Sequence, residues 1–190
     1  SRENIHRMGM VHITPDRGLC GGLVSNVNRA AGQYIIAQDV PVQSVVVGRK
    51  GRDFMARSGC DVRAVFTDLG DRPTVADVAP IAHLVVEDYL SGHTDGVQIS
   101  FSRFVTTTIQ RPTVMQLLPV QAVQLEKAPV GYIYEPRAAD LLEVLLPRYV
   151  ELQLYQTLLE ACASEQSARM VAMRNATDSA HDMIDALTLL

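Results

Sequence analysis

Residues 135–190 read EPRAADLLEVLLPRYVELQLYQTLLEACASEQSARMVAMRNATDSAHDMIDALTLL. The stretch has no glycine, and after Pro136 its one helix breaker is Pro147. Ala, Leu, Glu, Gln, Met and Arg, all strong helix formers, dominate it. From Leu152 a seam can be traced through Tyr155, Leu159, Cys162, Gln166, Arg169, Met173, Ala176, Ala180, Met183 and Leu187. Its steps alternate three and four, the spacing of a coiled-coil stripe. About 40 helical residues would span roughly 60 Å, longer than a small domain needs. A helix with one apolar stripe is marginal in water without packing, so a partner helix is expected. No second helical pattern of that length occurs in the chain. Either two copies pair, or the partner lies outside these residues. A strand follows Ser1 almost at once and the pattern is still helical at Leu190, so the sequence reads as a trimmed piece of a longer chain.

Working outward, residues 8–14 (MGMVHIT) form a short buried strand, which Pro15 ends. A glycine turn follows, with Asp16, Gly18, Gly21 and Gly22, and then Leu23, Val27, Ala30, Ala31, Tyr34 and Ile35 repeat at helical spacing. Residues 42–48 (VQSVVVG) are a β-branched, unbroken strand of the kind found in parallel sheets. A short helix ends at Gly59, and residues 61–66 (DVRAVF) give a third strand. Thr74 N-caps the next helix with Asp77 three residues on. Residues 97–104 and 113–120 then form an antiparallel pair added to the sheet. The order is that of an α/β, Rossmann-like three-layer domain with a mostly parallel sheet, followed by a long C-terminal helix. The polar, proline-containing connector at 121–131 divides the chain into a domain over 1–125 and a connector with shaft helix over 126–190.

The 190 residues carry a net charge of -4 and only 5% aromatics, so neither a basic nucleic-acid face nor a base-stacking platform is expected. No apolar run approaches the roughly 20 residues needed to cross a bilayer, so direct membrane insertion is not expected. Cys20, Cys60 and Cys162 make no CxxC pair or zinc pattern and are expected as reduced thiols. The histidines 6, 12, 83, 93 and 181 have no metal-ligand spacing, and Ser25 and Ser164 show no triad pattern.

A glycine turn after the first strand of an α/β fold is where dinucleotide phosphates bind. DRGLCGG is not GxGxxG, however, and no GxxxxGK[ST] occurs. The turn is therefore expected to be structural, with no cofactor. A small nucleotide-dependent enzyme with a helical dimerisation tail is the alternative, and a coiled-coil scaffold protein a third reading. Glu165 and Arg169, four apart, are expected as an i, i+4 ion pair that is solvated on spacing alone.

Two stretches carry a family resemblance: ITPDRGLCGGLVSNV after the first strand, and SEQSARMVAMRNATDSAHDMIDALTL in the long helix. Both resemble the gamma subunit of the F-type ATP synthase, as does YIYEPRAADLLEVLLPRYVELQLYQTLLEACASEQSARM between them. The resemblance implies an α/β domain between two long helices wound as an antiparallel coiled coil, one preceding Ser1 and the other continuing past Leu190. The family's closing ARQ and ITxE motifs are absent. It implies a non-catalytic central rotor stalk, whose partners are the alpha and beta subunits, the epsilon subunit and the membrane c ring. The location it implies is the cytoplasmic face of the bacterial membrane, peripheral, with self-association of the fragment through its open seam. By position in the motifs, Glu165 and Arg169 would meet a beta loop. Tyr132, Tyr134 and Glu135 would form the foot contact with the membrane ring or epsilon, and Asp16 to Gly22 would be the structural glycine turn. No long cysteine-bearing insertion of the chloroplast type is present, so thiol regulation is not expected.

Overall fold

The computed structural model describes residues 5–120 and 138–188. Five strands and three helices alternate before the long helix: β1 (Met8–Ile13), α1 (Leu23–Ile36), β2 (Val42–Val47), α2 (Arg49–Arg57), β3 (Asp61–Phe66), α3 (Val75–Leu90), β4 (Gly96–Phe104), β5 (Gln110–Leu118) and α4 (Ala138–Thr188). The sheet order is β3-β2-β1-β4-β5. β1 pairs in parallel with β2 and β4, and β2 with β3, while β5 is antiparallel to β4. β1 is buried along its whole length, which is why it reads as a near-continuous apolar run. β3 lies at the edge and alternates between exposed and half-buried positions.

Period-two alternation sends the two faces of the sheet into different cores. Met8, Met10, Val42 and Val46 meet α1 and α2 through Ala31 and Met55. Val11, Ile13, Val45, Val47, Ile99 and Phe101 pack under α3 and α4, against Val78, Ile81, Val150, Leu154 and Leu158. At the start of α3, the Asp77 carboxylate accepts from both the N–H and the hydroxyl of Thr74, each at 2.7 Å.

Two expectations shift. β5 begins at Gln110, three residues earlier than its apolar run suggests, because a tight turn lets Phe104 pair with Gln110 directly. α4 has 51 residues, about 76 Å, and continues through Pro147. The face of α4 that meets the domain is not the seam, which was expected to meet a partner helix outside these residues. It carries Val150, Leu154, Thr157, Leu158, Ser164 and Ala168, about a third of a turn away from the seam traced in the sequence. Leu152 and Leu159 of that seam are 47% and 40% exposed, while Tyr155, Cys162 and Arg169 are half-buried at the edge of the domain. The domain-facing side is lined partly by small and hydroxyl residues, which a search for apolar periodicity passes over.

Candidate functional site

The sheet order places a crevice at the carboxyl ends of β1 and β4, where the crossover direction reverses and where ligands bind in open α/β sheets. Here the chain fills it with its own helix. Ser164 of α4 is fully buried and its Oγ donates to the carbonyl of Ser102 at 2.8 Å. What remains beneath the helix is a cavity of about 30 Å³ among Ile13, Thr14, Leu23, Ser102, Leu158 and Cys162, and beside it an open groove of about 360 Å³ runs along Gly21, Gly22, Ser102, Ile109 and Ala168. The enclosed cavity has room for about one water, and the open groove reaches only the lower end of the roughly 300–1,000 Å³ of ligand pockets. An open apolar groove of about 850 Å³ lies elsewhere, between α3 and the early turns of α4, lined by Ala82, Val86, Leu90 and Pro147.

The anion-binding capacity of the neighbouring helix is likewise used internally. A helix N-terminus presents unpaired N–H groups. At α2, Asp16 accepts from the N–H of Arg49 at 2.9 Å, and its other oxygen accepts from the N–H of Asp68 at 3.0 Å. Thr14 Oγ1 accepts from the N–H of Gly51 at 2.7 Å and donates to the carbonyl of Val47 at 3.1 Å. Arg49 in turn pairs with Asp68, which holds that carboxyl below the usual range. A carboxylate and a hydroxyl thus take donors at the start of α2, whereas the start of α1, at Gly22, carries no side-chain cap.

Within the glycine turn, Gly21 takes φ +59° with open space around it, and Gly22 is the N-cap of α1. Leu19 also has positive φ and is 76% exposed. The sterically demanding glycines are two that sequence reasoning did not single out. A Cβ on Gly48 would lie 1.9 Å from the Thr14 carbonyl oxygen, and one on Gly51 would lie 2.8 Å from Thr14 Oγ1. The available signal was their position, immediately after the VVV run of β2.

The turn meets the long helix. Cys20 and Leu23 are buried against Ala168. Beside them, Arg169 Nη2 bonds Glu165 Oε1 at 2.5 Å, and Arg169 Nη1 reaches Gln166 Oε1 at 3.3 Å. The two side chains are only 24% and 14% exposed, so this pair is not the solvated one that spacing alone implies. Burial and then the Glu165 carboxylate push the Cys20 thiol up, and the same two causes, in the same order, raise Cys162 to about 11. Both thiols are therefore protonated at neutral pH, the unreactive form. The structure thus brings the Asp16–Gly22 turn and the Glu165–Arg169 pair, some 150 residues apart in sequence, to one end of the sheet. Tyr132, Tyr134 and Glu135 lie outside the described residues. His12 is buried, and its Nε2 contacts Asn28 Oδ1 at 2.9 Å. Among the described residues no three His, Cys, Asp or Glu side chains converge as a metal site.

A profile described as ATP synthase matches residues 1–190. An ATP synthase gamma chain from Dehalococcoides mccartyi strain CBDB1 is 52% identical over all 190 residues, which make up 67% of that protein. The chain belongs to the ATP synthase gamma-chain family. A second gamma chain, from Roseiflexus castenholzii, is 46% identical over 99% of this chain and 66% of its own length. The chain thus spans about two thirds of these gamma relatives. Among solved structures, the central stalk and c ring of the Tetrahymena thermophila mitochondrial ATP synthase includes a chain similar in fold. Its TM-score is 0.75 at 24% identity, over 93% of this chain and 79% of that one. A rotor chain of the Euglena gracilis mitochondrial enzyme gives 0.70 at 17%, over 96% and 71%. In this chain a helix of its own lies in the crevice that other α/β proteins use for ligands.

Proposed function

We propose that the chain is the central part of a rotor stalk, an α/β foot domain over 1–125 carrying a shaft over 126–190. The observation that carries this reading is a second stripe on α4, opposite the face packed on the domain. Leu145, Tyr149, Leu152, Gln156, Leu159, Ala163, Gln166, Met170 and Met173 follow one another at alternating steps of four and three, and all are exposed. Beyond Met173 the described helix is exposed all round, with Met183, Ile184 and Leu187 uncovered. Covering each large apolar side chain of this stripe would contribute about 1 kcal/mol, so a partner helix along its length gains on the order of 10 kcal/mol. The third of the relatives' length that this chain does not span amounts to about half as many residues as the chain itself, enough to supply such a helix. The reading is an antiparallel coiled coil whose second strand comes from that third.

In this role the chain does no covalent chemistry. It turns inside a ring of alpha and beta subunits, and its asymmetry gives each beta site a different contact energy, hence a different nucleotide affinity. Glu165 and Arg169, at the edge of the domain-facing side, are the contact with a beta loop. Tyr132, Tyr134 and Glu135 are the foot contact with epsilon or the membrane ring. The complex is peripheral on the cytoplasmic face of a bacterial membrane. In keeping with that, no described helix is long and apolar enough to cross a membrane. The filled crevice gives no support to the nucleotide-dependent enzyme.

The test uses a complete gamma chain assembled with its complex. Arg169→Ala is expected to lower coupled ATP synthesis or hydrolysis several-fold while assembly survives. Unchanged turnover in the assembled enzyme would remove the contact assignment. A full-length chain that does not assemble with alpha and beta subunits at all would remove the stalk reading.

A further inference from the structure

α4 holds the domain through two kinds of contact. Val150, Leu154 and Leu158 are buried against the sheet. Apolar contact of that sort is non-directional, so it fixes the distance of the helix from the sheet but resists rotation about the helix axis weakly. The second kind is polar and lies along one flank. Glu160, Ser164 and Ser167 stand at i, i+4 and i+7, within about 60° of one another around the helix. All three reach the β4–β5 hairpin. Arg103 Nε lies 3.8 Å from Glu160 Oε1, Ser164 Oγ donates to the Ser102 carbonyl at 2.8 Å, and Ser167 Oγ donates to the Thr107 carbonyl at 2.8 Å.

Both serines behave unlike their neighbours. A Ser or Thr inside a helix commonly bonds back to the carbonyl four residues earlier. Thr157, Thr177 and Ser179 of α4 do so, with the carbonyls of Gln153, Met173 and Asn175. Ser164 and Ser167 bond outward instead, and both acceptors are prepared. Ser102 faces Pro112 as a non-hydrogen-bonded pair, counted from the bond of the Val105 N–H to the Ile109 carbonyl, so its carbonyl points away from β5. The Thr107 carbonyl is held from the other side by Gln110 Nε2 at 2.9 Å, in a turn closed by the N–H of Val105 on the carbonyl of Ile109.

We infer that Ser164 and Ser167 are positioning residues for torque transfer: through the β4–β5 hairpin they lock the azimuth of the shaft helix to the foot domain, so that foot and shaft turn as one body. The inference rests on the rotor-stalk reading. Its test is a single-molecule record of angular fluctuation in the assembled ATP synthase carrying the full-length gamma chain, with the alpha and beta ring immobilised and a probe on the membrane ring. The S164A/S167A double variant is expected to widen the angular variance by about twofold, since two of three polar contacts are gone. S167T, which keeps the hydroxyl at a half-buried site, is expected to match the parent, while S167A alone gives an intermediate widening. If the double variant does not assemble, S167A and S167T decide between them. Equal variance in the parent and S167A, or in the parent and an assembled double variant, overturns the clamp. A parent enzyme whose gamma chain does not turn with the membrane ring sinks the rotor reading instead, and that outcome is seen before any variant is examined.

Discussion

Gly48 is where a single methyl group should do the most damage. It joins β2 to α2 at φ +94° and ψ +146°, a region essentially reserved for glycine. The Cβ of an alanine there would lie 1.9 Å from the carbonyl oxygen of Thr14 and 2.8 Å from its carbonyl carbon. Both are backbone atoms, so no side chain can swing aside. The end of β1 would have to retreat by roughly 1.5 Å to restore ordinary contact. That movement breaks the bond from the N–H of Thr14 to the carbonyl of Val47, now 2.9 Å, and the bond from the N–H of Gly51 to Thr14 Oγ1. Backbone strain costs about 1–3 kcal/mol, and each buried hydrogen bond lost adds about 1 kcal/mol. The expected loss for Gly48→Ala is therefore about 3–5 kcal/mol, a large part of a typical domain's stability. Gly21→Ala is the matched control. Its φ is also positive, at +59°, but nothing stands within 4 Å of the new methyl, so only the left-handed conformation is penalised, by about 1–2 kcal/mol. Urea unfolding of both variants, followed by circular dichroism and tyrosine fluorescence, should show a midpoint about 2 M lower for Gly48→Ala and well under 1 M lower for Gly21→Ala. Equal midpoint shifts would refute the steric reasoning and reduce both glycines to turn propensity.

His12 should stay neutral far below the usual histidine range. Burial lowers it from 6.5 to about 4, and the contact with Asn28 only partly offsets that. The unfolded state takes up the proton first, so stability falls as pH drops from about 6.5 to about 4, by roughly 3 kcal/mol from this group. Ring signals followed by NMR check it, and a His12 titration near pH 6.5 in the folded chain would contradict the burial argument. Asp16→Ala should cost about 1–2 kcal/mol by uncapping α2 and freeing the N–H of Asp68. Asp16→Asn, which keeps one acceptor oxygen, should cost less; an equal loss would show that the carboxylate's charge matters more than its bonds. With the crevice filled by Ser164 and Leu158, calorimetry of the parent chain against ATP should give no saturable heat, and saturable binding would reopen the enzyme reading.

Much of the α/β domain was legible because its signals are local. The unbroken VQSVVV run marks a strand covered on both faces, and Thr74 with Asp77 marks a helix start before any tertiary contact is known. Asp16 was legible only as part of a turn. Its partners are backbone groups of residues 49 and 68, on other elements, and no spacing rule links them. The domain-facing side of α4 was not legible for a related reason. Periodicity finds the large side chains Leu152, Leu159 and Met173, but these belong to the exposed side. The side that meets the domain depends on Thr157, Ser164 and Ala168, whose small size permits close approach and whose hydroxyls need partners that only the folded sheet supplies.

The two sides of α4 also explain how a nucleotide-type fold can be a mechanical part. An open α/β sheet always leaves a crevice at its reversal point and a helix N-terminus with unpaired donors nearby. A ligand-binding protein leaves these open. In this chain Thr14 and Asp16 take donors at the start of α2, and Leu158 and Ser164 lie in the crevice. A helix seated in the crevice by hydrogen bonds to the strand end and hairpin is fixed in direction as well as position, which apolar packing alone would not achieve. The same choice leaves the outward stripe of Leu152, Leu159 and Met173 free for another helix. On the stalk reading proposed above, a domain that seats its long helix in this crevice has exchanged binding for stiffness, which a shaft requires.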